Sequence, residues 1–143
     1  MPIGPSPIGG LAFVAIKFAG YSVAGYQLRK QYETPSVNHF AFGAARTILG
    51  IIAGVAFASL TEDLEIARSE LDFFLWLLPV RLLEWLLVIW LFFQYKQVHA
   101  RRLVKHSFLG ALWSYVLDAP AIASIFVVPG GMWVCQTVAD WSL

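Results

Sequence analysis

Four stretches of this chain, residues 8–28, 39–60, 73–95 and 107–128, are too long and too apolar to be explained by a water-soluble core. A helix needs about 20 residues to cross about 30 Å of hydrocarbon. Strands would leave backbone groups unpaired in lipid, at several kcal/mol each, so the stretches must be helices. The sequence therefore predicts an all-α polytopic membrane protein, an antiparallel four-helix transmembrane bundle forming one domain over residues 1–143. Of its 143 residues, 59% are hydrophobic and 13% charged, whereas a soluble domain carries roughly 25% charge. No Lys or Arg precedes the first apolar run, so the Pro/Gly-rich start reads as a tail before a retained helix, not a secretory leader.

Composition also removes several functions. A net charge of +1 provides no field to gather nucleic acid. Cys135 is the single cysteine, which excludes an internal disulfide, a CxxC redox pair and a thiolate zinc site. His39, His99 and His106 all fall on one side, but their spacing demands no metal. We expect no metal and no other cofactor.

Orientation follows from the connectors. Arg29 and Lys30 flank the first, and Lys96, Arg101, Arg102 and Lys105 lie in the third. The second has Arg68 against Glu62, Asp63, Glu65, Glu70 and Asp72. Excess Lys and Arg mark the cytoplasmic side, so both termini should face out, as in a bacterial inner-membrane protein. The basic stretch 96–106 should also attract anionic lipid. Residues 61–72 read as a short acidic outer helix, because Leu60, Leu64, Ala67 and Leu71 recur at helical spacing behind the capping Thr61. It would shield the outer mouth or dock a partner.

Small residues mark the packing faces. Gly43, Gly50 and Gly54 lie on one side of the second stretch, where small side chains let helices approach, within the chain or across a homodimer. Gly and Ala dominate this stretch, so it should be the inner, protein-packed helix.

The candidate site comes from charge in the wrong solvent. Lys17, Glu84 and Asp118 fall near the middle of their stretches, with Arg81 and Arg46 about one turn to either side. Each costs at least about 2.5 kcal/mol in lipid unless paired or hydrated. Lys17 shares a face with Gly20, Tyr21 and Ala24; Asp118 shares one with Ser107, Ala111 and Ser114. Arg81 and Glu84, three apart, can touch. The economical arrangement is one polar centre of Lys17, Tyr21, Arg46, Arg81, Glu84, Ser114 and Asp118. Three cations then meet two carboxylates, and a neutral base, water or an anion must balance the surplus. Pro79 and Pro120 each stand two residues from a charge and free a carbonyl one turn upstream.

No catalytic motif is visible. Three functions fit these residues. The first is binding or passage of a small anionic solute or lipid headgroup, proton-linked through Glu84 or Asp118. The second is a non-catalytic subunit or assembly factor of a membrane complex, whose charges tie helices together. The third is an intramembrane enzyme using Glu84 and Asp118 as an acid–base pair.

Overall fold

The computed structural model describes residues 7–63, 70–94 and 100–124. These are helical apart from one turn. The helices are α1 (Pro7–Gln31), α2 (His39–Asp63), α3 (Glu70–Ile89) and α4 (Ala100–Ser124). At its end α3 widens into a π-helical turn, Trp90–Gln94. Three segments, Gly10–Gln31, His39–Phe57 and Leu75–Phe93, are long and apolar enough to cross a membrane. The fourth helix is as long, 25 residues, but Arg101, Arg102, Lys105 and Asp118 dilute its apolar character. The fourth stretch was expected to begin at residue 107; helix begins at Ala100 instead, and residues 125–128 lie outside those described.

Burial is inverted relative to a water-soluble domain. Lys17, Arg46, Glu84 and Asp118 are buried while Leu11, Leu75, Leu83 and Ile52 stand more than half exposed. Large apolar side chains covering the outside while charges are hidden is the arrangement hydrocarbon selects.

Local signals explain the α1–α2 corner. The Thr34 N–H donates to the Arg29 carbonyl at 3.2 Å and the Glu33 N–H to that of Lys30 at 3.4 Å. Glu33 takes the left-handed conformation, φ 53°, that closes a helix in this pattern. Asn38 caps α2, its Oδ1 accepting the N–H groups of Phe40 at 2.9 Å and Ala41 at 3.3 Å.

Contacts between neighbouring helices pair rising residue numbers with falling ones. Gly25 lies against Phe42 and Gly43 against Ser22 and Phe18. Arg46 meets Glu84, Phe42 meets Phe93, and Trp85 meets Gly110. Tyr32, just past α1, meets His106 near the start of α4. Among the described residues the α1–α2 seam is the most extensive, and α1–α4 is less extensive than α2–α3 or α3–α4.

One expectation needs correction. Gly and Ala do not make α2 the inner helix: 22% of its apolar segment is buried among the described residues, against 33% for α1. Among the α2 residues whose burial is described, only the stripe of Phe42, Gly43, Arg46 and Thr47 is buried, while Ile48, Ile51 and Ile52 are exposed. Of the expected acidic helix over 61–72, residues 64–69 lie outside those described, 61–63 end α2 and 70–72 begin α3.

Candidate functional site

The polar residues of the four helices meet in two groups joined by hydroxyls. In the first, Arg46 of α2 is fully buried, 0% exposed, with Nη2 2.6 Å from Glu84 Oε2 of α3. That approach is an ion pair by distance only. Glu84 Oε2 lies off the N–H direction and makes no aligned hydrogen bond. The guanidinium carbon sits 4.9 Å from the Tyr21 ring centroid and 5.2 Å from that of Trp85. Two aromatic faces thus attract the cation that one carboxylate only partly engages.

In the second group, Asp118 of α4 is shared. Arg81 Nη2 donates to its Oδ2 at 2.8 Å, and Lys17 of α1 pairs with its Oδ1. Lys17 also lies 5.1 Å from the Phe13 centroid, and Arg81 lies 5.4 Å from that of Tyr115. Arg81 and Glu84, expected to touch along α3, form no ion pair with each other among the described residues. Each reaches a different helix instead.

Ser114 and Tyr21 connect the groups. The Ser114 hydroxyl accepts from Trp85 Nε1 at 2.9 Å, Tyr21 at 3.2 Å and Arg46 Nη2 at 3.4 Å, and donates to the Gly110 carbonyl at 3.2 Å. Lys17 Nζ in turn donates to the Tyr21 hydroxyl at 3.4 Å. A hydroxyl oxygen has two lone pairs, so the third and longest donor, Arg46, is the least well held. Arg46 Nε and Nη1 are buried with no hydrogen-bond partner among the described residues, as is Arg81 Nε.

The seven polar residues named from the sequence are therefore neighbours, but the glycines divide. Gly43 does bring helices together: a Cβ there would stand 2.9 Å from Ser22 N and 3.1 Å from Phe18 O. Gly50 does not. Its nearest contact is Nη1 of Arg46 on the same helix, at 2.9 Å from a Cβ, so it makes room for the guanidinium. Gly54 is half-buried. The sequence reading missed Gly25 and Gly110, which admit the rings of Phe42 and Trp85. It also missed Trp85, the ring that both stacks on Arg46 and donates to Ser114. The available signal was a tryptophan at mid-span, away from the interfaces where that residue collects.

On the side of the first and third connectors the site is closed by rings. The Phe42 centroid lies 5.4 Å from that of Phe93, 5.5 Å from Phe92 and 5.9 Å from Trp85. Next comes Tyr32, stacked on Phe93 at 5.5 Å, with its hydroxyl 2.8 Å from His106 Nδ1. Arg102 lies over the Tyr32 ring and donates to the Gln31 carbonyl. Burial raises the Tyr32 pKa against the pull of Arg102. Burial, Arg102 and Lys105 lower that of His106, against a backbone hydrogen bond at Arg102.

Among the described residues no three His, Cys, Asp or Glu side chains are placed to hold a metal ion; His99 and Cys135 lie outside them. Comparison with known proteins finds no matching family model, curated protein or solved structure.

Proposed function

We propose that this protein spans the membrane four times as an antiparallel bundle and binds one small anion at mid-depth, on Arg46 with Lys17 and Arg81. The observation that carries this is Arg46. It is fully buried, yet its Nε and Nη1 have no hydrogen-bond partner among the described residues. A buried guanidinium with two nitrogens left without acceptors is costly, and three cations facing two carboxylates leave one positive charge to balance. An anion supplies both the charge and the acceptors. Glu84 or Asp118 is available to exchange a proton with it. The alternation of helix contacts and the inverted burial support the four-span reading. The Lys and Arg of the first and third connectors support cytoplasmic placement, with both termini outside, as in a bacterial inner membrane. Exposed Arg101 and Lys105 suit anionic headgroups on that side.

The test is thermal unfolding in uncharged detergent at constant ionic strength, with inorganic phosphate or chloride replacing a bulky organic anion. A bound anion at a hundredfold over its Kd stabilises by about 2.7 kcal/mol. Wild type should show this rise, Arg46→Lys should keep part of it and Arg46→Met should lose it. Equal midpoints in every anion would remove the reading.

A second reading rests on Asp118, which joins Lys17 of α1 to Arg81 of α3. In it the charges only tie helices, and the protein serves as a subunit or assembly factor, alone or as a homodimer. A polypeptide copurifying at fixed stoichiometry, with no anion effect, favours this one. Each carboxylate faces a cation and not the other carboxylate, so the acid–base enzyme has the least support.

A further inference from the structure

The proposed anion site stands directly behind the α1–α4 seam, which is less extensive than the α1–α2, α2–α3 and α3–α4 seams. Tyr21 of α1 and Ser114 of α4 face each other across it, bonded at 3.2 Å. Arg46 lies immediately behind both, 4.9 Å from the Tyr21 ring and 3.4 Å from Ser114 Oγ. Lys17 and Asp118 meet across the same seam. Among the described residues, two side chains of α4 cover this seam at Gly20. Leu117 packs on Gly20, and Trp113, 38% exposed, donates its indole N–H to the Gly20 carbonyl at 3.1 Å. Both covering side chains come from α4, and neither interlocks with a side chain of α1 at Gly20.

Two other approaches differ. Phe42, Phe92, Phe93, Trp85 and Tyr32 fill the end towards the first and third connectors. The α1–α2 seam is closed by backbone contact at Gly43.

We infer that the anion is the headgroup of a membrane lipid, entering sideways between α1 and α4 past Trp113 and Leu117, with its acyl chains left in the bilayer. This rests on the anion-binding reading above and names its ligand. The surplus of one positive charge among the described residues selects a phosphodiester, which carries one negative charge, in a lipid whose headgroup adds no cation. Its phosphate oxygens are acceptors for the unpartnered nitrogens of Arg46, and Lys17 and Arg81 add charge alongside. Exposed Val14 on α1, and Leu109, Leu112 and Val116 on α4, provide apolar walls for the chains. While such a lipid is bound, its glycerol backbone must occupy the seam. A free anion would leave the seam closed behind it.

That difference is testable with a reversible staple. A Cβ built on Gly20 lies 3.0 Å from Leu117 Cγ, which places the two Cβ positions within the reach of a disulfide, about 3.5–4.5 Å. Gly20→Cys with Leu117→Cys is made in the full chain with Cys135→Ser, and cross-linking is verified by a gel shift. Binding is titrated in uncharged detergent by thermal midpoint. The probes are dioctanoyl phosphatidylglycerol, dioctanoyl phosphatidylcholine and inorganic phosphate. The reduced protein should bind the glycerol lipid at least about tenfold more tightly than the choline lipid, a 1.4 kcal/mol preference. Oxidation should weaken the glycerol lipid at least about tenfold, and reductant should restore it, which separates seam closure from misfolding. Arg46→Met should lose it in either state.

Unchanged affinity for the glycerol lipid in the verified cross-linked protein overturns lateral entry. Arg46-dependent binding of phosphate, insensitive to the staple, without binding of the glycerol lipid overturns the lipid assignment and leaves the anion site standing. No Arg46-dependent binding of any probe overturns both readings.

Discussion

The first helix is held by two seams made in different ways. Towards α2, backbones meet: a Cβ at Gly43 would stand 2.9 Å from a backbone nitrogen, and one at Gly25 3.2 Å from the His39 carbonyl. The hydroxyls in this seam turn back onto their own helices, Ser22 to Phe18 and Thr47 to Gly43, each at 2.8 Å. Towards α4, side chains meet: Lys17 with Asp118, Tyr21 with Ser114, Trp113 with a carbonyl. Lipid gives helices no hydrophobic reason to associate, so close packing and polar contacts must do it. One seam uses mainly the first and the other mainly the second. Backbone contact cannot be undone without moving a helix, whereas a side chain can turn. The seam made of side chains is thus the one able to open while the bundle persists.

The largest expected effect breaks the polar seam. Asp118→Asn leaves Lys17 and Arg81 buried without their shared carboxylate. Removing one member of a buried ion pair costs about 3–5 kcal/mol, measured as unfolding free energy in mixed micelles. A loss below about 1 kcal/mol would mean that water already solvates both cations, and the seam would then be open in the resting protein.

The next largest compares the seams directly. Gly43→Ala drives a methyl into the backbone of α1, which cannot yield locally, at a cost of about 1–3 kcal/mol. At Gly20 the three nearest atoms to an added Cβ all belong to the Leu117 side chain, whose end can turn away. Alanine also gains about 1 kcal/mol of helix propensity over glycine, so Gly20→Ala should be near neutral. Equal destabilisation at the two positions would remove the distinction between a backbone seam and a side-chain seam.

The sequence exposed the helices and the unusual residues, but not who meets whom. Lys17, Arg46, Arg81, Glu84 and Asp118 stand out because a charge inside an apolar stretch has no cheap explanation. The 3.6-residue period then places Tyr21 beside Lys17 and Ser114 beside Asp118. Pairing depends on rotation and depth of whole helices, which the period does not fix. Nearness along α3 suggested Arg81 with Glu84, yet both reach across to other helices. Gly50 illustrates the same limit. Its spacing from Gly54 is that of a packing motif, but the neighbour that fills its space is Arg46, one turn away on the same helix. Trp85 and Gly110 were hidden for another reason: a ring and the gap that admits it lie on different helices, and nothing in either local sequence announces the match.

The smallest effect expected concerns the far end of the α1–α4 seam, where Tyr32 and His106 meet outside the proposed spans. Burial, followed by Arg102 and Lys105, keeps the His106 pKa below its ordinary value in the folded protein, about 6.5 in an unfolded chain. Between those two values the unfolded chain binds more protons than the folded one. Stability should therefore fall as pH drops from about 6.5 through the lowered value, and His106 should add no slope above that window. Protonation would put a positive charge on the ring beside the cations Arg102 and Lys105. Comparing unfolding midpoints of wild type and His106→Gln from pH 7.5 to 5, a range chosen to bracket about 6.5, isolates this residue from the buried carboxylates common to both proteins. Wild type should lose more stability on acidification than the variant. A steeper loss in the variant would show that protonated His106 is stabilised where it sits, and that this end of the seam is held by a charge on the histidine and not by its neutral ring.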